Sequence, residues 1–259
     1  MADISGVTEN RIIREAAAAV SRKRLGIGGA GLCLVLGAGI AVSPFGIAAS
    51  GLVALVGVVV SLVLMFSIAP DPALLAGARG ELLALDELKR LPGTYHVFNQ
   101  VDIPNERSRT GVNEADLVVT GPNAVFVIEV KHNGGRVSGG AGDRAWRVQK
   151  VGRRGGHYEK TMRNPVLQVQ QLVRLLAAQL VGFEDRRGGS VRRRRPWVQG
   201  IVVFSNDAVA LDIDRGMDVP CLRLHHLCEY IMRFPARGAN GMSGTDARGA
   251  LLAIKAKAA

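Results

Sequence analysis

Between Leu25 and Pro70 the chain lacks every charged residue type: 46 consecutive positions hold no Asp, Glu, Lys or Arg. So long an uncharged stretch is hard to hide inside a protein of 259 residues. It divides at Ser43–Gly46 into two apolar stretches, about 25–42 and 46–69, each near the ~20 residues needed to cross a bilayer. The run therefore reads as a transmembrane helical hairpin, its first span the weaker because glycine dilutes its hydrophobicity. Residues 1–24 carry both charge signs ahead of it and a second span follows, which argues against a cleaved signal peptide. Arg22, Lys23 and Arg24 abut the first span, and the chain beyond the second is basic too. The positive-inside rule then sets both termini on the cytoplasmic side of the inner (plasma) membrane in a multi-pass arrangement.

Cysteine is nearly absent as well. Cys33 lies in the first apolar stretch and Cys221 and Cys228 follow much later, which excludes a disulfide framework and suits a reducing compartment. Cys221, His225, His226 and Cys228 depart from the paired spacing of zinc sites, so they point more to ordinary packing than to a metal. The Gly-Ile-Gly-Gly-Ala-Gly run at 26–31 fits the dinucleotide-binding pattern in letters only, because Arg-Lys-Arg precedes it where a strand is required. A nucleotide cofactor is not expected, and these glycines suit close helix approach in a membrane instead. No internal repeat is present, and no Ser-His-Asp or Cys-His arrangement stands out.

What the chain does have is concentrated in residues 115–131, Ala-Asp-Leu-Val-Val-Thr-Gly-Pro-Asn-Ala-Val-Phe-Val-Ile-Glu-Val-Lys. Two β-branched runs, Leu117–Thr120 and Val125–Val130, flank turn-forming Gly121, Pro122 and Asn123, which predicts a hairpin. A four-residue turn over 121–124 sets Thr120 against Val125 and, counting back, Asp116 against Glu129, with Cβ atoms about 5 Å apart. Strand alternation puts Glu129 and Lys131 on one face beside Asp116. Two carboxylates that close repel unless a cation lies between them, and a hard, oxygen-seeking ion such as magnesium is the usual occupant. Lys131 lies within reach of a water or phosphate oxygen there. A lone Glu-x-Lys at a strand end is more often an exposed ion pair, so the context decides.

That context has three parts. Glu81, Leu85 and Leu88 fall at i, i+4 and i+7, placing the glutamate at the start of an apolar helical stripe, where a carboxylate needs a partner. Asn164 and Pro165 suit the N-cap and first position of a second helix whose stripe is Val169, Leu172, Val173, Leu176 and Leu180, with Gln168 in its first turn beside that stripe. The order helix 73–91, strand 95–101, hairpin, helix 165–181 and apolar strand Val198–Phe204 is α-β-β-β-α-β.

This succession resembles the nuclease-related domain, NERD, and through it the restriction-endonuclease-like superfamily with its Asp…Glu-x-Lys signature. The matching segments are Gly-Ala-Arg-Gly-Glu at 77–81, Glu-Ala-Asp-Leu-Val-Val-Thr at 114–120, Val-Phe-Val-Ile-Glu-Val-Lys at 125–131, Asn-Pro-Val-Leu-Gln at 164–168 and Val-Val-Phe-Ser at 202–205. The resemblance implies an α/β fold with a restriction-endonuclease-like core and a mixed central sheet, here preceded by two transmembrane helices. It further implies a nuclease dependent on magnesium, or manganese in its place. Asp116, Glu129 and Glu81 would be metal ligands, Lys131 the catalytic lysine, and Glu81 and Gln168 supporting residues. The competing expectation is a non-catalytic, membrane-tethered module of the same fold that binds nucleic acid or protein.

Charge agrees with a polyanionic partner, DNA more than RNA: the net charge is +11, and +9 remains once residues 1–24 are set aside. Arg147, Lys150, Arg153, Arg154, Lys160 and Arg163 sit in a glycine-rich segment read as loop, and Arg192, Arg193 and Arg194 in another; both are candidates for phosphate contact. The expected organisation is a basic N-terminal segment 1–24, the hairpin 25–70, a nuclease-like domain 71–235 with an extra strand at 219–224 and a short helix at 227–234, and a linker with a C-terminal helix in 236–259.

Overall fold

A computed structural model describes residues 1–42, 46–152, 154–185, 197–214, 216–235 and 244–258. The chain divides into two units: Met1–Glu9 together with Gly77–Ala259, and Asn10–Ala76.

The first unit is a mixed α/β structure. Its main sheet runs in the order β1 (Asp3–Gly6), β2 (His96–Pro104), β3 (Val112–Thr120), β4 (Val125–Lys131), β8 (Val198–Phe204), β10 (Cys221–Arg223). β2, β3 and β4 are antiparallel neighbours, whereas β1 is parallel to β2, and β4, β8 and β10 are mutually parallel. The turn closes by Gly121 N–H donating to Ala124 O at 3.0 Å, and Thr120 pairs with Val125 as the spacing predicts.

Both faces of this sheet are covered, which is why its strands read as continuous apolar runs. Leu117, Val119, Phe126 and Ile128 join Leu85 and Leu88 of α3 (Pro72–Leu88) and Leu227 and Ile231 of α5 (Leu227–Arg233) on one face. Val118, Val125 and Val127 join Leu172, Leu176 and Leu180 of α4 (Pro165–Asp185) and Ala247 and Leu251 of α6 (Gly244–Ala258) on the other.

Alternation breaks at one rung. Phe98 and Val101 share a face, as do Ala115 and Val118, although the members of each pair are an odd three positions apart. Between them lie Gln100, whose φ of 47° is left-handed, and Asp116, at the rung missing from the β2–β3 register between Asn99–Leu117 and Val101–Ala115. The β3–β4 pairing is continuous from Thr120–Val125 to Leu117–Ile128 and goes no further. One step beyond this last pair the same register reaches Asp116 and Glu129, the two positions that counting sets against each other.

The segment between β4 and α4, read from sequence as glycine-rich loop, is a second sheet. β5 (Gly135–Gly139), β6 (Ala145–Val151), β7 (His157–Arg163) and β9 (Val209–Ile213) lie in the order β7-β6-β5-β9. Glycine and arginine masked the strands, but buried Val137, Trp146, Val148 and Val209 pack on Val166 and Val169 of α4 and on Val202 and Phe204 of β8. Trp146 can be wholly buried because its indole N–H donates to Gly140 O at 2.9 Å.

Residues 1–9, expected as part of a separate segment, supply the edge strand of the main sheet. Buried Asn99 accepts Thr8 N–H at 2.8 Å and Lys255 Nζ at 3.2 Å and donates to Thr8 O at 2.8 Å. Lys255 also donates to Gly6 O at 2.7 Å, and Arg248 pairs with Asp3 at 2.9 Å, so α6 clasps the N-terminal strand to β2.

The second unit is an antiparallel pair, α1 (Arg11–Val42) and α2 (Ile47–Ser67), about 48 and 31 Å long at 1.5 Å per residue. Gly31 faces Ser61 and Gly57 faces Val35 with no room for a Cβ, whereas Gly26, Gly28 and Gly29 face open space. Of the first-span glycine run, Gly31 is therefore the member pressed against the neighbouring helix. Arg24 Nη2 donates to Ile68 O at 3.1 Å where the pair begins and ends. Leu32, Leu36, Leu55, Leu62, Val63 and Phe66 are all exposed. Among the described residues no single helix is long and apolar enough to cross a membrane; Gly51–Ser67 with Pro72–Leu88, bent by 42°, passes that test as a pair.

Asn99→Ala removes the acceptor for Thr8 N–H and Lys255 at a buried position. It is expected to cost about 1–3 kcal/mol, measured by urea unfolding followed through tryptophan fluorescence.

Candidate functional site

The site forms where parallel β4 and β8 end. Ser205 N–H donates to Lys131 O at 3.0 Å, keeping the two strands together to their last residues. The C-terminal ends of parallel strands are where open α/β sheets place their ligands. Glu129 is 5 % exposed, and its carboxylate receives the Lys131 ammonium at 2.6 Å.

Helix α4 supplies the next contact because its start is fixed from both sides. Asn164, 1 % exposed, accepts Val166 N–H at 2.8 Å as N-cap, while its amide donates to Gly140 O, Ala141 O and Asp143 O. One turn on, Gln168 Oε1 accepts from Lys131 Nζ at 3.2 Å. A lysine has three N–H donors; Glu129 and Gln168 take two, leaving one for a water or an anionic oxygen.

Asp116 Oδ2 accepts Val130 N–H at 2.7 Å. Burial holds its carboxyl well above the ordinary 3.8, and the charge of Glu129 adds to this. The Val130 N–H opposes the shift, Glu81 reinforces it and Lys131 opposes it. Asp116 therefore feels both of the other carboxylates named from sequence, and the Lys131 ammonium offsets their effect on it only in part.

Glu81, 6 % exposed, accepts the Gln100 amide at 3.4 Å. It reaches the site because α3 comes close to the strand ends at Gly80, where a Cβ would fall 2.7 Å from Ser205 Oγ and 2.8 Å from His132 Cβ. His132 shares its Nδ1 with Ser205 Oγ at 3.0 Å. Burial, then Arg79 and Lys150, hold its imidazole below the usual range, with Asp207 opposing.

Asp116, Glu129, Lys131, Gln168 and Glu81 are thus brought to one place. Sequence reasoning missed Gln100, His132 and Ser205; the signal for Gln100 was a polar pair, Asn99-Gln100, inside an apolar strand. Arg147, Lys150, Lys160 and Arg163 lie on strands, and Arg154 in the turn between β6 and β7. Arg153, Arg192, Arg193 and Arg194 lie outside the described residues.

Among the described residues no group of three or more His, Cys, Asp or Glu side chains is disposed to hold a metal ion. Cys221, His225, His226 and Cys228 accordingly form no such group. The Cys228 thiol donates to Glu87 O at 3.1 Å, and burial pushes both thiols up to about 12. Asp116, Glu129 and Glu81 likewise form no such three-ligand group; the donor chemistry that remains, the carboxylates of Asp116 and Glu129, is of the kind magnesium takes, since that ion keeps several waters and is commonly held through one or two carboxylates plus substrate phosphate.

Residues 76–205 match the nuclease-related domain, NERD. The chain belongs to this family. No curated protein and no solved structure matches it. The NERD segment opens just before the Gly80–Glu81 approach and closes at Ser205, so its limits coincide with the elements that assemble the site.

Gly80→Ala places a methyl between His132 and Ser205. A destabilisation of about 1–3 kcal/mol is expected from denaturant unfolding; a variant as stable as the parent would show that α3 yields freely there.

Proposed function

We propose that this NERD protein is a membrane-anchored phosphodiesterase of the restriction-endonuclease-like type, hydrolysing nucleic-acid backbones on the cytoplasmic side with magnesium or manganese. One observation carries this reading: the Lys131 ammonium lies between Glu129 and Gln168 beside Asp116, whose carboxyl is pushed up by burial and by Glu129.

In this reading Asp116 and Glu129 hold the metal, which when bound offsets charge on the phosphate and makes water a stronger nucleophile. Lys131 orients the attacking water through its remaining N–H or offsets charge developing on the phosphate. Gln168 fixes the lysine's direction from α4. Glu81, which accepts the Gln100 amide, sets the charge around Asp116 from the α3 side. The low solvent access of Glu129 and Glu81 strengthens each of these interactions.

Anchoring rests on the 46 uncharged residues and on the exposed leucine, valine and phenylalanine of the helix pair. With Arg22, Lys23 and Arg24 beside the first span, both termini and the nuclease-related domain lie on the cytoplasmic side in this reading.

Lys131→Ala in the full-length protein is expected to lower magnesium-dependent cleavage of DNA or RNA by about 10²–10³-fold, with an unchanged circular dichroism spectrum. Equal cleavage by the variant would remove Lys131 from the chemistry. Magnesium or manganese should raise the melting temperature of the parent and not of Asp116→Asn; a parent indifferent to both ions would favour a non-catalytic binding module. The full chain should stay with membranes through carbonate extraction, and its release into the supernatant would defeat the anchor.

A further inference from the structure

The β6–β7 ribbon sorts its cations onto two faces. Register pairs Trp146 with Met162, Val148 with Lys160 and Lys150 with Tyr158; it pairs Ala145 with Arg163, Arg147 with Thr161 and Gln149 with Glu159. Since alternate residues share a face, Lys150, Tyr158 and Lys160 lie on the face of buried Trp146 and Val148. Arg147 and Arg163 lie on the opposite one.

The two faces differ in chemistry and in what they adjoin. On the outward face cations are interleaved with carboxylates: Arg136 pairs with Asp212 at 3.8 Å, and Gln149 donates to Glu159 at 3.4 Å. On the inward face Lys150 and Lys160 pair with no carboxylate among the described residues, and Lys160 lies 5.8 Å from the centre of the Tyr158 ring, itself 44 % exposed.

That inward face adjoins the segment leaving Lys131. The Asn133 amide donates to Met162 Sδ at 3.1 Å, a Cβ on Gly135 would lie 3.3 Å from Lys150 Cγ, and Lys150 acts on His132 through charge. Arg79 acts on His132 too. Arg79, Lys150 and Lys160, with the open ring of Tyr158, thus make a cationic track that passes His132 and begins next to the site lysine.

We propose that a single nucleic-acid strand docks along this inward face, its phosphates on Lys150 and Lys160 and one base stacked on Tyr158, and is delivered to Lys131. This rests on the phosphodiesterase reading for its purpose, not for its geometry. Charge complementarity names the occupant: a polyanion with flat bases needs ammonium groups at intervals and an exposed ring. The Trp146 and Val148 half of this face is spent on α4 and β8, which leaves a narrow strip of two ammonium groups and one ring, the width of a single strand.

The test uses the full-length protein in EDTA, which halts metal-dependent cleavage, and fluorescence anisotropy of a labelled oligodeoxythymidine. Lys150→Glu with Lys160→Glu is expected to weaken binding about tenfold or more and to reduce the salt slope by about 1.4, two phosphates' worth. Tyr158→Ala should weaken it roughly tenfold, and Arg147→Glu with Arg163→Glu by less than about twofold, since those arginines face away. Unchanged melting temperatures keep the comparison to binding.

An outward-face pair that costs as much as the inward one overturns the docking, as does preference for a duplex competed by both faces, or no binding by the parent. If inward-face variants bind normally while magnesium-dependent cleavage persists, the docking falls and the phosphodiesterase stands. If they lose binding but the parent cleaves nothing with magnesium or manganese, the docking stands and the phosphodiesterase falls.

Discussion

A lysine ammonium held among buried carboxylates sets the terms for the rest of the nuclease-related domain. Glu129 is almost wholly enclosed, and a carboxylate in that position needs a partner; Lys131, two residues along the same strand, supplies it. The same ammonium must then be aimed, and that task passes to Gln168 on α4. Burial, Glu129 and Glu81 push the Asp116 carboxyl up, and Lys131 opposes them only in part. An enclosed group of like charges is costly to fold around, and the raised carboxyl of Asp116 is the form that cost takes here.

The fold meets this demand by fixing three approaches at once. Asn164 ties the start of α4 to residues 140–143, so the helix begins at the height that puts Gln168 over the strand end. Gly80 lets α3 touch His132 and Ser205, which brings Glu81 inward. Gln100 takes a left-handed conformation that a non-glycine residue rarely adopts, and such positions cluster where structure over-determines a site. Its rung is also where β2 and β3 lose alternation, so the irregularity and the carboxylate cluster occur together.

The N-terminal strand gives the domain a second kind of constraint. Met1–Glu9 and Gly77–Ala259 form one unit while Asn10–Ala76 form another, so the helix pair leaves the domain and returns to it. An edge strand held by Asn99, Arg248 and Lys255 makes residues far apart in sequence mutually dependent. Asn99 is also the neighbour of Gln100, which places this clasp one residue from the site's irregular rung.

The sequence by itself determined the local pieces: the β3–β4 turn and register, the Asn164 cap, the helical stripes, the uncharged run and the Asp116, Glu129, Lys131 set. Each of these is written in short-range patterns, because turn residues, caps and periodicity act within a few positions. Tertiary structure alone decided what depends on distant partners. The second sheet was hidden because its core is three-sided, and alternation with arginine and glycine reads as loop until α4 and β8 are in place. The sorting of Lys150 and Lys160 from Arg147 and Arg163 follows from strand pairing, and the edge role of residues 3–6 from a parallel partner some ninety positions away. Gln100's left-handed conformation likewise depends on strands meeting at one rung, and composition encodes no such meeting.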